Sequence, residues 1–332
     1  MKTVHETRSN FGPKPKLMKW DFTGLVRPVL TYGAMIWGHA ANTVGNISKL
    51  RKLNRMALNT ITSVRRSNPT RALEIIYDIM PLHLEIQKIG MASFVRLKQH
   101  ITGQKHLYSS QMYKKLGHLN RWERLAKDTG VGSDNNDYTN VTYREKLYHV
   151  NTDSFNGGSK HLQSSQINIY TDGSRLEDKC GTGYVIYKKR KEIFRKSSRL
   201  PDTSTVFQAE VNGILLASKF LLNEVTTIKP KYIKIFSDSQ VALLALNQSE
   251  VSSKLVLETK ETLNLLAQRT RRITLVWIKV HVGHPGNEVA DELAKKATKE
   301  DKIDNKINTP LAYIKDNPVS YTHLTLPTIY SV

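Results

Sequence analysis

Residues 166–173, QINIYTDG, decide the fold, because a short apolar β-type run ends there in an acid and a glycine. Two further β-type runs follow closely and predict a hairpin beside this first strand. Helical and β-type patterns then alternate along the chain. The remaining predicted elements are a helix over 203–222, a strand over 231–238, helices over 239–246 and 253–268, a strand over 273–280 and a helix over 287–299.

This order of elements predicts an α/β fold in which a mixed five-stranded sheet carries helices on both faces. Helical spacing of apolar residues ahead of it predicts an all-α segment, and a stretch rich in Gly, Ser, Asn and Asp predicts a connection with one short element near Trp122 or Tyr143. The predicted division is a helical region over 14–116, a linker over 117–165, the α/β domain over 166–300, and a disordered and partly artefactual tail over 301–332.

Four helices are expected in the N-terminal region. Pro28 lies inside the first helical pattern and should bend or split it. Thr70 can cap the third helix, which should end before Pro81. The second helix is basic, with a predicted apolar stripe of Leu50, Leu53, Met56, Ala57 and Ile61.

The charge of the chain favours a polyanionic partner. Its 332 residues include 50 Lys and Arg against 29 Asp and Glu, which gives a net charge of +21. An excess of this size points to nucleic acid, bound in part by the basic N-terminal helices. A basic soluble protein without such a partner is the alternative.

Cysteine content and hydropathy exclude other classes of protein. Cys180 is the single cysteine, so the chain can form no internal disulfide and no cysteine-rich zinc module. No apolar run has the length of a membrane span, and the N-terminus lacks an apolar signal segment. We therefore expect an intracellular protein of the nucleus or cytoplasm, neither secreted nor bound to a membrane.

Four acids occupy positions that favour a common site. Asp172 ends the first strand and Asp238 ends the fourth, and ligands of open α/β sheets gather at the carboxyl ends of strands. If these two strands are neighbours, the two carboxylates lie side by side. Glu210 lies one turn into a helix among apolar neighbours, where a carboxylate is costly unless something neutralises it. Asp291 lies near the start of the last helix. Singly, each acid could be a cap or turn residue.

Together, the four carboxylates favour a divalent metal site. Converging carboxylates repel one another unless cations lie between them. Oxygen ligands without a Cys or His cluster suit hard ions, so we expect Mg²⁺, with Mn²⁺ as a substitute, and not zinc. Two such ions about 4 Å apart can activate water and stabilise the leaving oxygen in phosphodiester cleavage.

The motifs TDGS, QAE, SDSQ and WIKVHVGHPGNEVADELAKKA, in this order, resemble type 1 ribonuclease H over about residues 166–300. The resemblance implies a ribonuclease H-like fold and an endonuclease that cuts the RNA strand of RNA/DNA hybrids with two Mg²⁺ ions. It also implies that these ions are bound by Asp172, Glu210, Asp238 and Asp291.

The resemblance further implies a mobile histidine ten residues before the last acid, which is His281, with a role in proton transfer or product departure. His284 is the competing candidate, and either could be an ordinary loop histidine. Gly173, Ser174, Asn212 and Gln240 match positions that contact the hybrid. Gly173 would permit close approach of the backbone. The junction at 247–251 is short and not basic, unlike the basic loop of some relatives, so the hybrid must be held elsewhere.

The N-terminal region resembles the segment that follows the polymerase core in non-LTR retrotransposon proteins, on the Arg27-Pro28…Tyr32-Gly33…Trp37 run and on residues 70–74. No Tyr-x-Asp-Asp motif occurs in the chain, so polymerase activity is not expected. We expect a C-terminal fragment of a LINE-like reverse transcriptase. Residues 317–332 resemble translated adaptor sequence and are excluded from fold reasoning.

Two other functions remain open at this point. A non-catalytic remnant would bind hybrid or RNA through the same basic surface, with salt-dependent affinity and no cleavage. A relative that cuts DNA strands would share the sheet and an acidic site, although the His281 loop and the four acids disfavour it.

Overall fold

The computed structural model describes residues 13–64, 67–103, 122–124, 136–153, 166–279, 284–310 and 313. The chain divides into two compact units, one formed by Met1–Ser133 with Ile314–Val332 and the other by Asp134–Tyr313. Within the described residues, no helix combines the length and apolar character needed to cross a bilayer.

The first unit is helical where it is described. The predicted split at Pro28 is confirmed, because this residue lies in the first turn of a short helix that follows a π-helical turn. The helices are α1 (Pro15–Asp21), α2 (Arg27–Thr31), α3 (Ala34–Trp37), α4 (Val44–Thr62), α5 (Thr70–Ile76) and α6 (Leu82–Gly103).

Two details of these helices differ from the prediction. Leu53 and Met56 of α4 are exposed, whereas Asn54 is fully buried. Asn54 Nδ2 donates to Glu74 Oε1 at 2.6 Å, so a tertiary partner allows a polar residue on the buried face. Thr70 is the first residue of α5, and the cap position belongs to Pro69.

The second unit contains an α/β fold, and its elements follow the predicted order with additions. Three strands, one short helical turn and the segment after the last helix were not predicted. The elements are β1 (Tyr138–Tyr143), β2 (His149–Asn151), β3 (Gln166–Leu176), β4 (Lys179–Lys188), β5 (Lys191–Leu200), α7 (Val206–Asn223), α8 (Val225–Ile228), β6 (Tyr232–Ser237), α9 (Gln240–Asn247), β7 (Glu250–Ser253), α10 (Lys254–Gln268), β8 (Arg272–Trp277) and α11 (Pro285–Lys299).

The main sheet is mixed and has six strands in the order β2-β8-β6-β3-β4-β5. Strands β2, β8, β6 and β3 pair in parallel, and β4 and β5 pair antiparallel at the other edge. All five predicted strands are present in this sheet. Strand β2 is an additional sixth strand, so the predicted count of five is wrong. Strands β1 and β7 form a separate antiparallel pair.

Helices cover both faces of this sheet, as predicted. A Cβ added at Gly173 on β3 would lie 2.6 Å from the backbone nitrogen of Glu210 in α7. A Cβ at Gly183 on β4 would lie 2.5 Å from the carbonyl oxygen of Ala290 in α11. Gly173 pairs with Thr182, the neighbour of Gly183, and successive residues of a strand point to opposite faces. Helices α7 and α11 therefore lie on opposite faces, each packed closely against a glycine.

The segment before β3 is not only a linker, which corrects the predicted boundary. Residues 138–143 and 149–151 are strands, and the Tyr148 side chain is buried with its hydroxyl donating to Leu246 O at 2.8 Å. Asp137 accepts from Leu255 N and Ser253 Oγ, both at 2.8 Å. The turn-like composition misled the prediction because the partners of these residues lie about a hundred positions or more away.

The segment after α11 is likewise part of the fold as far as residue 310, so the predicted disordered tail is corrected there. Thr309 O accepts from Asp137 N at 2.8 Å, and Asp304 Oδ1 accepts from Arg199 N at 2.5 Å. Residues 314–332, which include the adaptor-like stretch, lie outside the described residues.

Candidate active site

Asp172 and Asp238 lie side by side at one end of the parallel strands. The pairing of β3 with β6 ends at Thr171 and Ser237, so each acid is the first residue beyond the paired region. The sequence predicted this adjacency on the condition that these two strands are neighbours, and they pair in parallel. Strand β3 itself continues to Leu176 along β4, so Asp172 does not end the strand.

Glu210 reaches the same place from α7. The helix begins after Thr205, whose side chain forms a capping box with Gln208, and this fixes the first turn that leads to Glu210. The close packing of this turn against Gly173 brings the Glu210 carboxylate to the sheet. The side chain of Glu210 is buried, and its Oε2 atom has no hydrogen-bond partner within the described part of the chain.

These three acids form one cluster. One carboxylate oxygen from each of Asp172, Glu210 and Asp238 lies within 4.8 Å of the other two. Asp172 and Glu210 are buried, and Asp238 is partly exposed. The cluster therefore opens to solvent on the side of Asp238.

Burial and mutual repulsion raise the pKa values of Asp172 and Glu210. Burial raises the pKa of Asp172 to about 8, and the charges of Asp238 and Asp291 act in the same direction. Burial also raises the pKa of Glu210 well above its usual range, with the charge of Asp172 second in importance. Without a cation, part of this cluster therefore holds protons at neutral pH.

Asp291 is close to this cluster but is not one of the three grouped acids. Helix α11 packs on β4 beside Gly183, the residue paired with Asp172, and Asp291 follows the contacting Ala290. The Asp291 carboxylate is bound by Lys295, with Oδ2 and Nζ at 2.7 Å. Of the four acids expected to bind metal, three thus converge, and the fourth lies nearby with its carboxylate held by a lysine.

Other contacts orient Asp238, and sequence reasoning missed them. Asn287 Nδ2 donates to Asp238 Oδ2 at 3.2 Å, and Trp277 Nε1 donates to Asp238 O at 3.0 Å. Asn287 and Lys295 lie four residues before and after Asp291, which places all three on one face of α11. That spacing was the available signal for both residues.

The two candidate histidines lie in the segment that leads to α11. His281 lies outside the described residues. His284 is the residue preceding α11, and its carbonyl accepts from Asn287 N at 2.9 Å. Its backbone therefore borders the residue that contacts Asp238.

The residues expected to contact substrate differ in their exposure. Gln240 is exposed at the start of α9, and Ser174 is partly exposed. Asn212 is almost fully buried on α7, and its Nδ2 atom has no hydrogen-bond partner within the described residues. A side chain at Gly173 would point at α7. The glycine is therefore needed for the packing of this helix, and not only for the expected approach of a ligand.

Comparison with known proteins assigns this domain. Residues 164–299 match the model of the RNase H family. Residues 164–299 are therefore an RNase H domain. The family is one of endoribonucleases, which are hydrolases. The matched segment includes the acids, helices and strands of the site. The N-terminal region, which resembles a retrotransposon protein, lies outside this segment.

Relatives of known name are similar to part of this chain. A protein named Ribonuclease H from Blochmanniella floridana is 29% identical over 168 residues, covering 46% of this chain and 95% of the relative. Another of that name, from Campylobacter jejuni, is 28% identical over 137 residues, covering 40% of this chain and 90% of the relative. The crystal structure of RNase H1 from Halobacterium salinarum NRC-1 covers 40% of this chain and 98% of its own, with 17% identity and a TM-score of 0.33.

The RNase H domain has the donors that a divalent cation requires. The RNase H family generally uses divalent metal ions, and the cluster offers carboxylate oxygens alone, which suit hard cations. The buried Glu210 Oε2 atom has no hydrogen-bond partner among the described residues, and the pKa values of Asp172 and Glu210 are raised. Both properties fit a site arranged to receive a positive ion.

Proposed function

We propose that the RNase H domain of this chain hydrolyses the RNA strand of RNA/DNA hybrids by two-metal-ion activation of water. The observation that carries the proposal is the cluster of Asp172, Glu210 and Asp238 inside the segment that matches the RNase H family. The names of the aligned relatives support the same activity. The net charge of +21 suits a polyanionic substrate.

Asp172, Glu210, Asp238 and Asp291 are the proposed ligands of Mg²⁺, with Mn²⁺ as a substitute. When bound, two such ions supply an activated water and stabilise the leaving oxygen of the phosphodiester. Lys295 holds the Oδ2 atom of Asp291 and therefore competes with a metal ion for this carboxylate. The buried Asp172 and Glu210 give up their protons on binding, because a carboxylate must be ionised to act as a ligand.

The other residues of the chain position these groups and the substrate. Asn287 fixes one oxygen of Asp238 through its amide, leaving the other oxygen free to turn to the cluster. His281 is the proposed group for proton transfer or product departure. The proposed contacts to the hybrid are made by Gly173, Ser174, Asn212 and Gln240.

We further propose that the chain derives from a non-LTR retrotransposon reverse transcriptase. The proposal is supported by the resemblance of the helical region to the segment after such cores and by the position of the RNase H domain behind it. The basic helices of that region would hold nucleic acid inside the cell.

The experiment is cleavage of a hybrid labelled on its RNA strand, with Mg²⁺ present. Wild type should cut the RNA, and Asp172→Asn should lower the rate by about a thousandfold or more, since metal-assisted chemistry supplies several kcal/mol. Asp178→Asn is the matched control, because its side chain is 94% exposed and its ion pair with Arg175, at 3.7 Å, is a long surface contact.

Three results would contradict the proposal. Equal cleavage by wild type and Asp172→Asn would mean that the cluster is not the active site. Binding of the hybrid without cleavage would favour a non-catalytic remnant. Cleavage of duplex DNA with sparing of the hybrid would favour a nuclease that acts on DNA strands.

A further inference from the structure

The end of the main sheet opposite the carboxylates carries a row of exposed cations. The β4–β5 hairpin tip and the starts of β6 and β8 meet there, with Tyr232 paired to both Gln166 and Arg272. The row, here named the basic edge, consists of eight exposed residues: Lys189, Arg190, Lys191, Lys229, Lys231, Arg269, Arg271 and Arg272.

The members of the basic edge form one continuous surface. Lys188 Nζ donates to Ile228 O at 3.0 Å, which joins the hairpin tip to the loop that holds Lys229. Arg271 N donates to Lys231 O at 2.9 Å, which joins that loop to the start of β8. From β8 to β5 the edge crosses four gaps between neighbouring strands, or about 19 Å at the usual spacing.

No acid balances this charge within the segments that carry it. Residues 186–191, 225–234 and 268–274 contain neither Asp nor Glu. The acid that follows the hairpin tip, Glu192, forms an ion pair with Arg195. The basic edge therefore carries an excess of positive charge, which attracts polyanions and repels cations.

Three cations of the basic edge occupy backbone conformations that favour glycine or asparagine. The φ angles of Lys189, Arg190 and Lys229 are 50°, 65° and 49°. A two-residue hairpin turn with positive φ at both positions is typically Asn-Gly, and a long side chain there is strained. The sequence thus has positive charge at positions where uncharged residues would suit the backbone better, which indicates a function for the charge.

An aromatic ring lies within the row. The Arg271 guanidinium carbon lies 5.9 Å from the centre of the Tyr232 ring, which is partly exposed. Tyrosine and arginine beside a basic groove are typical of surfaces that bind nucleic-acid strands, where bases stack and phosphates are neutralised.

We propose that the basic edge is a second nucleic-acid binding surface, which holds the phosphate backbone of a strand that continues beyond the segment being cut. Gln166 and Asp172 are six residues apart on β3, so the edge lies about 20 Å from the carboxylates. The choice of nucleic acid among polyanions rests on the proposed function. The surface therefore contributes to affinity and residence and not to the chemical step.

The test measures binding of a fluorescent RNA/DNA hybrid with a single-stranded extension by anisotropy, using the full chain in EDTA so that no cleavage occurs. The edge variant combines Lys189→Asn, Arg190→Gly and Lys229→Gly, which remove charge and relieve the backbone. The matched control combines Lys299→Gln, Lys302→Gln and Lys306→Gln. These three lysines are exposed and lie at or beyond the end of α11.

The edge variant should weaken binding about tenfold or more near physiological salt and lower the slope of log affinity against log salt by about 2, since each lost phosphate contact removes about 0.7–0.9. Its melting temperature should be equal to or above that of wild type. The control should match wild type in both binding measurements. Equal affinity and slope in the edge variant and the control would overturn the proposal.

Two further measurements keep the outcome decisive. If the edge variant melts lower than wild type, Lys191→Gln, Arg269→Gln and Arg272→Gln together replace it and should give the same loss of slope. Retention on phosphatidylserine vesicles that depends on the edge, with hybrid binding unchanged, would overturn the proposal in favour of a membrane surface. Because binding is measured without metal, its failure is distinct from failure of hybrid cleavage in Mg²⁺.

Discussion

Replacing Asp172 by asparagine should stabilise the metal-free RNase H domain, and increasingly so as the pH rises. The pKa of Asp172 is raised from 3.8 to about 8, mainly by burial. Between these values the folded protein keeps a proton that the unfolded chain has lost. The free energy of unfolding of wild type therefore falls as pH rises through this range.

The size of the effect follows from the pKa shift. One bound proton corresponds to a slope of about 1.4 kcal/mol per pH unit, and the full shift sets a ceiling of roughly 5 kcal/mol by pH 8. Relaxation of the domain and entry of water reduce this, so we expect Asp172→Asn to gain about 2 kcal/mol at pH 8. The gain should approach zero only at about pH 3 and below, where the carboxyl is largely protonated in both states.

Hydrogen exchange read by mass spectrometry is the suitable assay, because peptides from β3 and β6 report on the RNase H domain without the helical unit. Wild type, Asp172→Asn and the exposed control Asp178→Asn are compared in EDTA from pH 5 to pH 8. The control should follow wild type. A difference between Asp172→Asn and wild type that stays constant with pH, or a variant less protected at pH 8, would refute the reasoning and indicate a structural role for Asp172.

Three further predictions concern the same domain. Mg²⁺ at a hundred times its dissociation constant should stabilise wild type by about 2.7 kcal/mol and thereby raise its melting temperature, and it should act far less on Asp172→Asn. Equal shifts of the two melting temperatures in a thermal-shift assay would contradict the site. Lys295→Gln frees Asp291 and should lower the Mg²⁺ concentration for half-maximal cleavage, whereas an unchanged titration would show that the 2.7 Å ion pair does not compete with metal. Gly173→Ala should lower the free energy of unfolding in urea by about 1–3 kcal/mol, because the added Cβ would lie 2.6 Å from the α7 backbone. Gly45→Ala is the control, because its added Cβ would have no atom within 4 Å. Equal effects of the two substitutions would exclude the packing argument.

Much of the domain was predictable because its signals are local. Alternating apolar residues mark β6, capping residues mark the starts of α7, α9 and α10, and an apolar β-type run leads directly to each of Asp172 and Asp238. The parallel pairing of β3 with β6 then follows from the order of elements. The adjacency of the two acids could therefore be predicted from residue patterns alone.

What the sequence did not predict depends on distant partners. Strand β2 pairs with β8, and Asp137 caps the start of α10, although each is separated from its partner by more than a hundred residues. Composition alone made both segments resemble turns. The capture of Asp291 by Lys295 depends on side-chain rotamers, which residue spacing permits but does not decide.

The measurement that tests the central claim most directly is Mn²⁺ anomalous scattering from crystals of the full chain. The account predicts at least one ion bound by carboxylate oxygens of Asp172, Glu210 and Asp238, at roughly 2.0–2.2 Å as hard oxygen ligands require. Absence of Mn²⁺ from this cluster at saturating concentration, or an ion bound elsewhere while these carboxylates point apart, would contradict it.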